Sequence, residues 1–347
     1  MKKVIAILLT SVLVFCLVAC TKQGATEKDG PGSKTTVMEP GTEVDNNKFI
    51  IQPKNGDKYV VGIVVKTLES AFYQNMANAV KDVYGDSDTF EVIVQASKTE
   101  TDTAGFIQII EDMITKDVDC LVVVPGDPNA VAPTLENVVA AGIPVICSET
   151  DVPNLEGKLT YIGIDNVAAG KSVVQYVFDQ GLLVAGDECA VITGPVGYTT
   201  ATDRAKGAKD GIEANGGVLV SEQPANWDRT KGMEVAENII TANPNLKAIF
   251  ASNGEMALGS AEAVASAGKT AQIFITGFDG ILDEYYAIQD GRLIATALQD
   301  SRQYSLLAME KYIDYLKGKP LDPFYDIGSP VVTKDNVAEY MAQSSEG

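Results

Sequence analysis

Histidine is absent from the 347 residues, and tryptophan occurs once. Without an imidazole, Ser-His-Asp and Cys-His catalysis, His-ligated zinc and the commonest general base at neutral pH are excluded. Basic side chains are also in deficit, since 27 Lys and Arg face 47 Asp and Glu for a formal net charge of −20. A chain this acidic repels phosphate backbones, which excludes nucleic acid as a partner. Cysteine is sparse at five, and no uncharged apolar run reaches the roughly 20 residues of a membrane-spanning helix.

What is present begins with a basic start, Met1-Lys2-Lys3, and an almost unbroken apolar run from Val4 to Ala19 that ends in small residues. This is the pattern of a secretory signal, so residues 1–19 are expected to leave and no transmembrane helix is expected afterwards. Leu17-Val18-Ala19-Cys20 resembles a bacterial lipobox. That resemblance implies a diacylglycerol on the Cys20 thiol and two or three acyl chains as the membrane anchor, one alone binding only marginally. Residues 20–48 are rich in Lys, Gly, Thr, Glu and Pro and nearly devoid of core-forming side chains, the composition of a flexible tether. The expected location is extracytoplasmic, on a lipid anchor, with a Gram-positive surface preferred to a periplasm. With Cys16 lost and Cys20 lipidated, Cys120, Cys147 and Cys189 lie in apolar, β-branched runs and are expected to be buried thiols. Three cannot complete a disulfide framework, and a Cys120–Cys147 bridge requires their strands to be neighbours.

From Phe49 onward, short β-branched runs alternate with helical periodicity. The runs are Tyr59–Val65, Phe90–Ala96, Cys120–Val124 and Pro144–Cys147, separated by helical patterns over about 71–83, 101–115 and after Pro128. A second series follows Tyr161–Asp165, with runs near Ala190–Thr193, Val218–Ser221, Lys247–Ala251 and Gln272–Thr276. Continuously apolar runs are those of parallel strands covered on both faces. The fold class expected is α/β, two doubly wound parallel-sheet lobes whose strand C-termini face a crevice, and the crevice is the default binding site.

Gly170-Lys171-Ser172 and Gly268-Lys269-Thr270 imitate the end of a phosphate loop, but Asp165 and Ala263 stand where the loop's first glycine belongs. The phosphate nest is therefore not encoded, and a helix interior and a helix end are expected instead. No local signature selects a catalytic pair from the many carboxylates. The scarce aromatics are more informative: Phe72 and Tyr73 follow the first run, and Trp227 follows Val218–Ser221 between Asn226 and Asp228. Rings and polar groups converging on a cleft suit a sugar, which has apolar C–H faces and a belt of hydroxyls.

Four segments carry a family resemblance: Val65-Lys66-Thr67-Leu68-Glu69-Ser70-Ala71-Phe72-Tyr73, Gln223 to Gly232 around Asn226-Trp227-Asp228, Asn253 to Gly259, and Gly277-Phe278-Asp279-Gly280. In order, from Tyr59 to about Val332, the chain resembles the type I periplasmic sugar-binding proteins, the ribose and allose receptors above all. The resemblance implies that Phe72 and Tyr73 hold a sugar ring against Trp227 from the other lobe, and that Lys66 reaches a hydroxyl. It further implies that Asn253, Asp279 and Gln299 bind hydroxyls, with Glu149 in place of the family's aspartate; carboxylates accept, and amides both donate and accept. Three positions depart from the family pattern: Ser70 replaces an asparagine, Thr150 an arginine, and Thr202 falls where a second cleft arginine is expected. Arg204, two residues on, substitutes only if the loop Gly197–Thr202 takes another path. Such changes alter selectivity by orders of magnitude, so ribose and allose do not transfer as ligands.

The same resemblance implies lobes of residues 49–164 plus 300–327 and 165–299 plus 328–340. They would be joined at three crossings near Asp165-Asn166, Gln299-Asp300 and Ile327-Gly328, about which they close. The function implied is capture of a monosaccharide or similar polyol and delivery to an ABC permease, by a monomer with no cofactor, no metal and no catalysis. A receptor for a furanose-like autoinducer, or a chemosensory sugar co-receptor, is the alternative. A related transcriptional repressor is excluded by the signal and by the lack of a basic helix-turn-helix.

Overall fold

The computed structural model describes residues 49–345; the signal, Cys20 and the tether over 1–48 lie outside the described residues. The first half supplies β1 (Tyr59–Val65), α1 (Ala71–Tyr84), β2 (Phe90–Ala96), α2 (Thr103–Thr115), β3 (Cys120–Val123), α3 (Pro128–Ala140), β4 (Val145–Ser148) and β5 (Thr160–Gly163). The second supplies α4 (Asn166–Asp179), β6 (Glu188–Thr193), α5 (Thr199–Ala214), β7 (Val218–Pro224), α6 (Arg229–Ala242), β8 (Leu246–Ala251), α7 (Gly254–Ser266), β9 (Phe274–Asp279), α8 (Leu282–Gln289) and β10 (Ala295–Leu298). The chain ends with α9 (Ser301–Leu316), β11 (Phe324–Asp326), β12 (Val331–Thr333) and α10 (Val337–Ser345).

The strands form two six-stranded sheets, ordered β11-β5-β4-β3-β1-β2 and β12-β10-β9-β8-β6-β7. In each, the order reverses at the first strand, β1 or β6, which is the switch point where ligands bind in open α/β sheets. Side chains alternate across β1: Val61, Ile63 and Val65 join one core cluster, and Val64 joins another. Apolar cover on both faces explains why β1, β3 and β4 read as unbroken apolar runs.

Helix α9 packs on α1 and β4, and β11 pairs with β5, whereas α4 packs on α5 and β12 pairs with β10. The chain therefore passes between lobes three times: from β5 to α4, from β10 to α9 and from β11 to β12. The two parallel-sheet lobes are as expected, and one edge pair runs the other way: β12 is antiparallel to β10. Strand β11 is parallel to β5, so its C-terminal end lies with the others at the junction of the lobes. A chain crossing there directly enters the second sheet at its C-terminal edge and must run the opposite way; a parallel strand would need a helical crossover.

Cys120, Cys147 and Cys189 are buried free thiols. Strands β3 and β4 are indeed neighbours, but Cys120 belongs to the cluster on one face of the sheet and Cys147 to the cluster on the other, so the bridge does not form. Burial pushes the thiols of Cys147 and Cys189 up to about 12. Gly170-Lys171-Ser172 lies inside α4, and Gly268 follows the end of α7.

Helices α4 and α5 lie in backbone contact. A Cβ at Gly207 would stand 2.1 Å from the Val167 carbonyl oxygen, and one at Gly170 would stand 2.4 Å from that of Arg204. No rotamer change relieves a clash with backbone, so Gly207→Ala must push the helices apart. We expect it to lower stability by roughly 1–3 kcal/mol, read as a fall in the thermal midpoint.

Candidate functional site

Where the lobes meet, the strand ends place polar and aromatic side chains around one small cavity. Lys66 follows β1, Ser70 precedes α1, and Phe72 and Tyr73 lie in the first turn of α1, their rings 5.2 Å apart and edge to face. Ser70 occupies the N-cap position of α1 without spending its hydroxyl on capping, which leaves that group for the cavity. Glu149 follows β4, Trp227 follows β7, Asn253 caps α7, Asp279 ends β9 and Gln299 follows β10. All nine predicted residues named here line the same cavity.

A chain of buried charges crosses it. Lys66 Nζ donates to Glu149 Oε2 at 2.7 Å, and Arg204 Nη2 donates to Glu149 Oε1 at 3.1 Å from the other lobe. Arg204 Nη1 continues to Asp279 Oδ1 at 3.4 Å, and Gln299 Nε2 donates to the same oxygen at 2.8 Å. Lys66, Glu149 and Arg204 are each less than 5% exposed. Burial works to raise the Glu149 carboxyl, but Lys66 and Arg204 together outweigh it and hold the group below the ordinary carboxylate range. Asp279, with a single cation beside it, stays raised to about 6 by burial.

Two predicted residues are not in the lining. Thr202 is exposed and donates its hydroxyl to the Tyr198 carbonyl. Thr150 is buried beside the cavity, donating to Glu149 and accepting from Lys66, so it braces the ion pair. The donor expected to be missing is present as Arg204 on α5. Its Nε donates to Asn166, its Nη1 also reaches the Ser252 carbonyl, and its plane lies 4.1 Å from the Phe278 ring centre. Residues 202 and 204 are about 200° apart on a helix, so when one faces the cleft the other faces solvent.

Glu100, in the loop after β2, lines the cavity and was not singled out by the sequence reading. Tyr73 Oη lies 3.5 Å from its Oε2, and burial raises its carboxyl to about 8. Its place after a strand C-terminus was the available signal.

The backbone is strained here. Glu149, Asn226, Trp227 and Asp279 have φ of 61°, 55°, 66° and 104°, values that side-chain-bearing residues adopt rarely and that concentrate at functional sites. Trp227 is held by the Asn253 amide on its carbonyl and by a slot against Gly194, where a Cβ would stand 2.1 Å from the indole. Its Nε1 is buried without a hydrogen-bond partner.

A wider hollow of about 930 Å3 lies outside the cavity, sharing Ser70, Glu100 and Trp227 with it. Another, about 1230 Å3 and open to solvent, lies beyond Gln299 between α1 and the start of α9; it is larger, but neither hollow is lined by Lys66, Glu149 or Arg204, which the small cavity gathers. Among the described residues, no cluster of three or more carboxylates or thiols is arranged to hold a metal ion, and no helix is long and apolar enough to cross a membrane.

Behind Asp279, Glu284 is fully buried and accepts from the Gly280 and Ile281 amides and the Thr296 hydroxyl, with no cation beside it. Burial, then the Asp279 charge, raises its carboxyl well above the ordinary 4.5. A carboxyl raised on folding adds stability that is full below its unfolded value and is lost as pH rises toward the folded one. Glu284→Gln keeps the hydrogen bonds and removes the titration. Between pH 5 and pH 9 the wild-type melting midpoint should therefore fall relative to the variant's, and a gap constant across that range would contradict the buried neutral carboxyl.

A model of the periplasmic binding protein domain matches residues 61–320. The D-ribose/D-allose-binding protein of Pseudomonas aeruginosa is 32% identical over 295 residues, which are 83% of this chain and 89% of that protein. Two solved structures are similar. An ABC transporter periplasmic solute binding protein from Actinobacillus succinogenes with bound D-allose has a TM-score of 0.75 at 27% identity, covering 82% of this chain and 100% of its own. An ABC transporter solute binding protein from Bacillus halodurans with bound myo-inositol has a TM-score of 0.75 at 25% identity, covering 84% and 99%.

Proposed function

The chain belongs to the type I periplasmic sugar-binding proteins, and from that premise we propose that it captures a neutral monosaccharide or cyclic polyol outside the cytoplasm and hands it to an ABC permease. The observation that carries this reading is the cavity itself, lined from both lobes, with Phe72 and Tyr73 on one side and Trp227 on the other.

The charges decide the ligand class. Lys66 and Arg204 are matched by ionised Glu149 and by Asp279, which is mostly ionised above pH 6. Glu100, raised to about 8, is mostly neutral at pH 7. An electrically balanced cavity lined by buried charges favours an uncharged ligand, because a net charge would enter it without a partner. Hydroxyls find acceptors in Asp279 and Glu149, donors in Lys66 and Arg204, and both in Asn253 and Gln299. Ring faces find the aromatics.

Closure would occur by rotation about the three crossings, with lobes of residues 49–164 plus 300–327 and 165–299 plus 328–340, coupling capture to a surface the permease reads. Cys20 would anchor a monomer to the membrane through lipid, and no chemistry is required of the protein. Names of relatives support the sugar class; the sugar itself depends on Ser70, Thr150 and Glu100.

A thermal-shift screen of the chain from Asn47 onward against pentoses, hexoses, deoxy sugars, inositols and autoinducer-type furanoses tests this. A ligand at 100 times its Kd stabilises by about 2.7 kcal/mol, and we expect one neutral sugar or polyol to raise the midpoint and Trp227→Ala to abolish the rise. A response only to the autoinducer furanose would make the protein a signalling receptor, and no response at all would remove the sugar reading.

A further inference from the structure

Tyr198 makes a contact across the cleft that the ligand cavity does not require. It stands at the N-cap of α5, the second-lobe helix that carries Arg204, and its side chain enters a first-lobe socket formed by the loop after β2, the start of α2 and Gly126-Asp127. The residue is 5% exposed. Its hydroxyl donates to the backbone carbonyl of Glu100 at 3.0 Å. A Cβ at Gly126 would stand 2.8 Å from that hydroxyl and 3.0 Å from the ring, so the socket fits a tyrosine only because residue 126 has no side chain. Gly126 has no positive φ among the described residues, and backbone conformation therefore does not explain it.

We propose that Tyr198 is the interlobe latch of this protein, a positioning residue that slows ligand release by holding the lobes together and fixing Glu100 at the cavity. Two features make it more than a buried aromatic. Its partner is the backbone of a cavity-lining residue, so the same bond that joins the lobes sets the height at which the Glu100 carboxyl faces the ligand. It also starts the helix that brings Arg204 to Glu149, six residues on, so the two interlobe bonds of α5 form and break together. In the open form both the hydroxyl and the Glu100 carbonyl face water, and the latch therefore contributes to the closed state alone.

The inference rests on the sugar-receptor reading, and the test separates the two. Dissociation rates of D-allose and D-ribose are followed by the fluorescence of the single tryptophan, Trp227, in wild type, Tyr198→Phe, Tyr198→Ala, Gly126→Ala and the Tyr198→Ala/Gly126→Ala double variant, with ligand-free melting midpoints as the check on folding. One neutral hydrogen bond corresponds to about a five-fold effect. We expect Tyr198→Phe to release sugar about five-fold faster with the association rate and ligand-free midpoint unchanged, since interface changes act mostly on release. Gly126→Ala should also speed release in the wild-type background and be silent once Tyr198 is Ala, the non-additivity of two residues in contact. Unchanged release in Tyr198→Phe and Tyr198→Ala, or additive effects of Gly126→Ala and Tyr198→Ala, would overturn the latch while leaving the receptor reading intact. If wild type binds neither sugar, the same rates are measured with the ligand that raises its midpoint in the thermal-shift screen, and unchanged release there overturns the latch.

Discussion

An ionised carboxylate can sit out of water only if its charge and lone pairs are met, and Glu149 is the group on which this structure imposes that condition. It is 3% exposed and takes Lys66 from its own lobe, Arg204 from the other and the Thr150 hydroxyl at its side. Everything at the cleft follows from satisfying it. Strand β1 must end where Lys66 can reach, α5 must present Arg204 inward, and the backbone must turn through a positive φ at Glu149 to aim the carboxylate into the junction. A strained residue persists only where its surroundings over-determine it, and three charged-group bonds on one side chain do so.

The fold was legible where burial on two faces leaves its mark. Strands β1, β3 and β4 are apolar without interruption because helices cover both sides of the sheet, and no alternative reading competes. Strands β10, β11 and β12 were not marked by the pattern. Ala295-Thr296-Ala297-Leu298 carries little β-branching, and the other two are three residues each at sheet edges, too short for any periodicity to show. The second lobe's last strong strand was placed early, near 272–276, whereas β9 extends to Asp279. Polar and aromatic residues at a strand's functional end hide its length, since the chemistry of the site displaces the apolar signal there.

The site was legible at positions fixed by strand ends and less so at positions fixed by helix phase. Lys66, Glu149 and Asp279 belong to strand termini, and a strand's end is set by its own apolar run. Arg204 depends on where α5 begins. With Thr199 as its first residue and Gly197 turning at φ 94° before it, the inward face passes through 204 and not 202, and an error of two residues reverses the face. Glu100 escaped because it lies in a loop with no periodicity at all, and its place just after β2 becomes telling once the sheet order puts the end of β2 beside that of β1.

The arrangement of charges also bears on the lobe closure proposed above. Lys66 and Glu149 belong to one lobe, and Arg204 and Asp279 to the other, so each lobe carries its own ion pair and is locally neutral before the two meet. Separating them breaks only the Arg204–Glu149 contact among these bonds and leaves no isolated charge in a dry interior, the circumstance that makes removal of one partner cost roughly 3–5 kcal/mol. Had the four charges been distributed with both cations on one side, closure would be strongly favoured electrostatically and release would require separating net charge. Under the proposed closure, locally neutral faces would keep the open and closed states close in energy. A ligand of modest size can then tip the balance through its rings and hydroxyls.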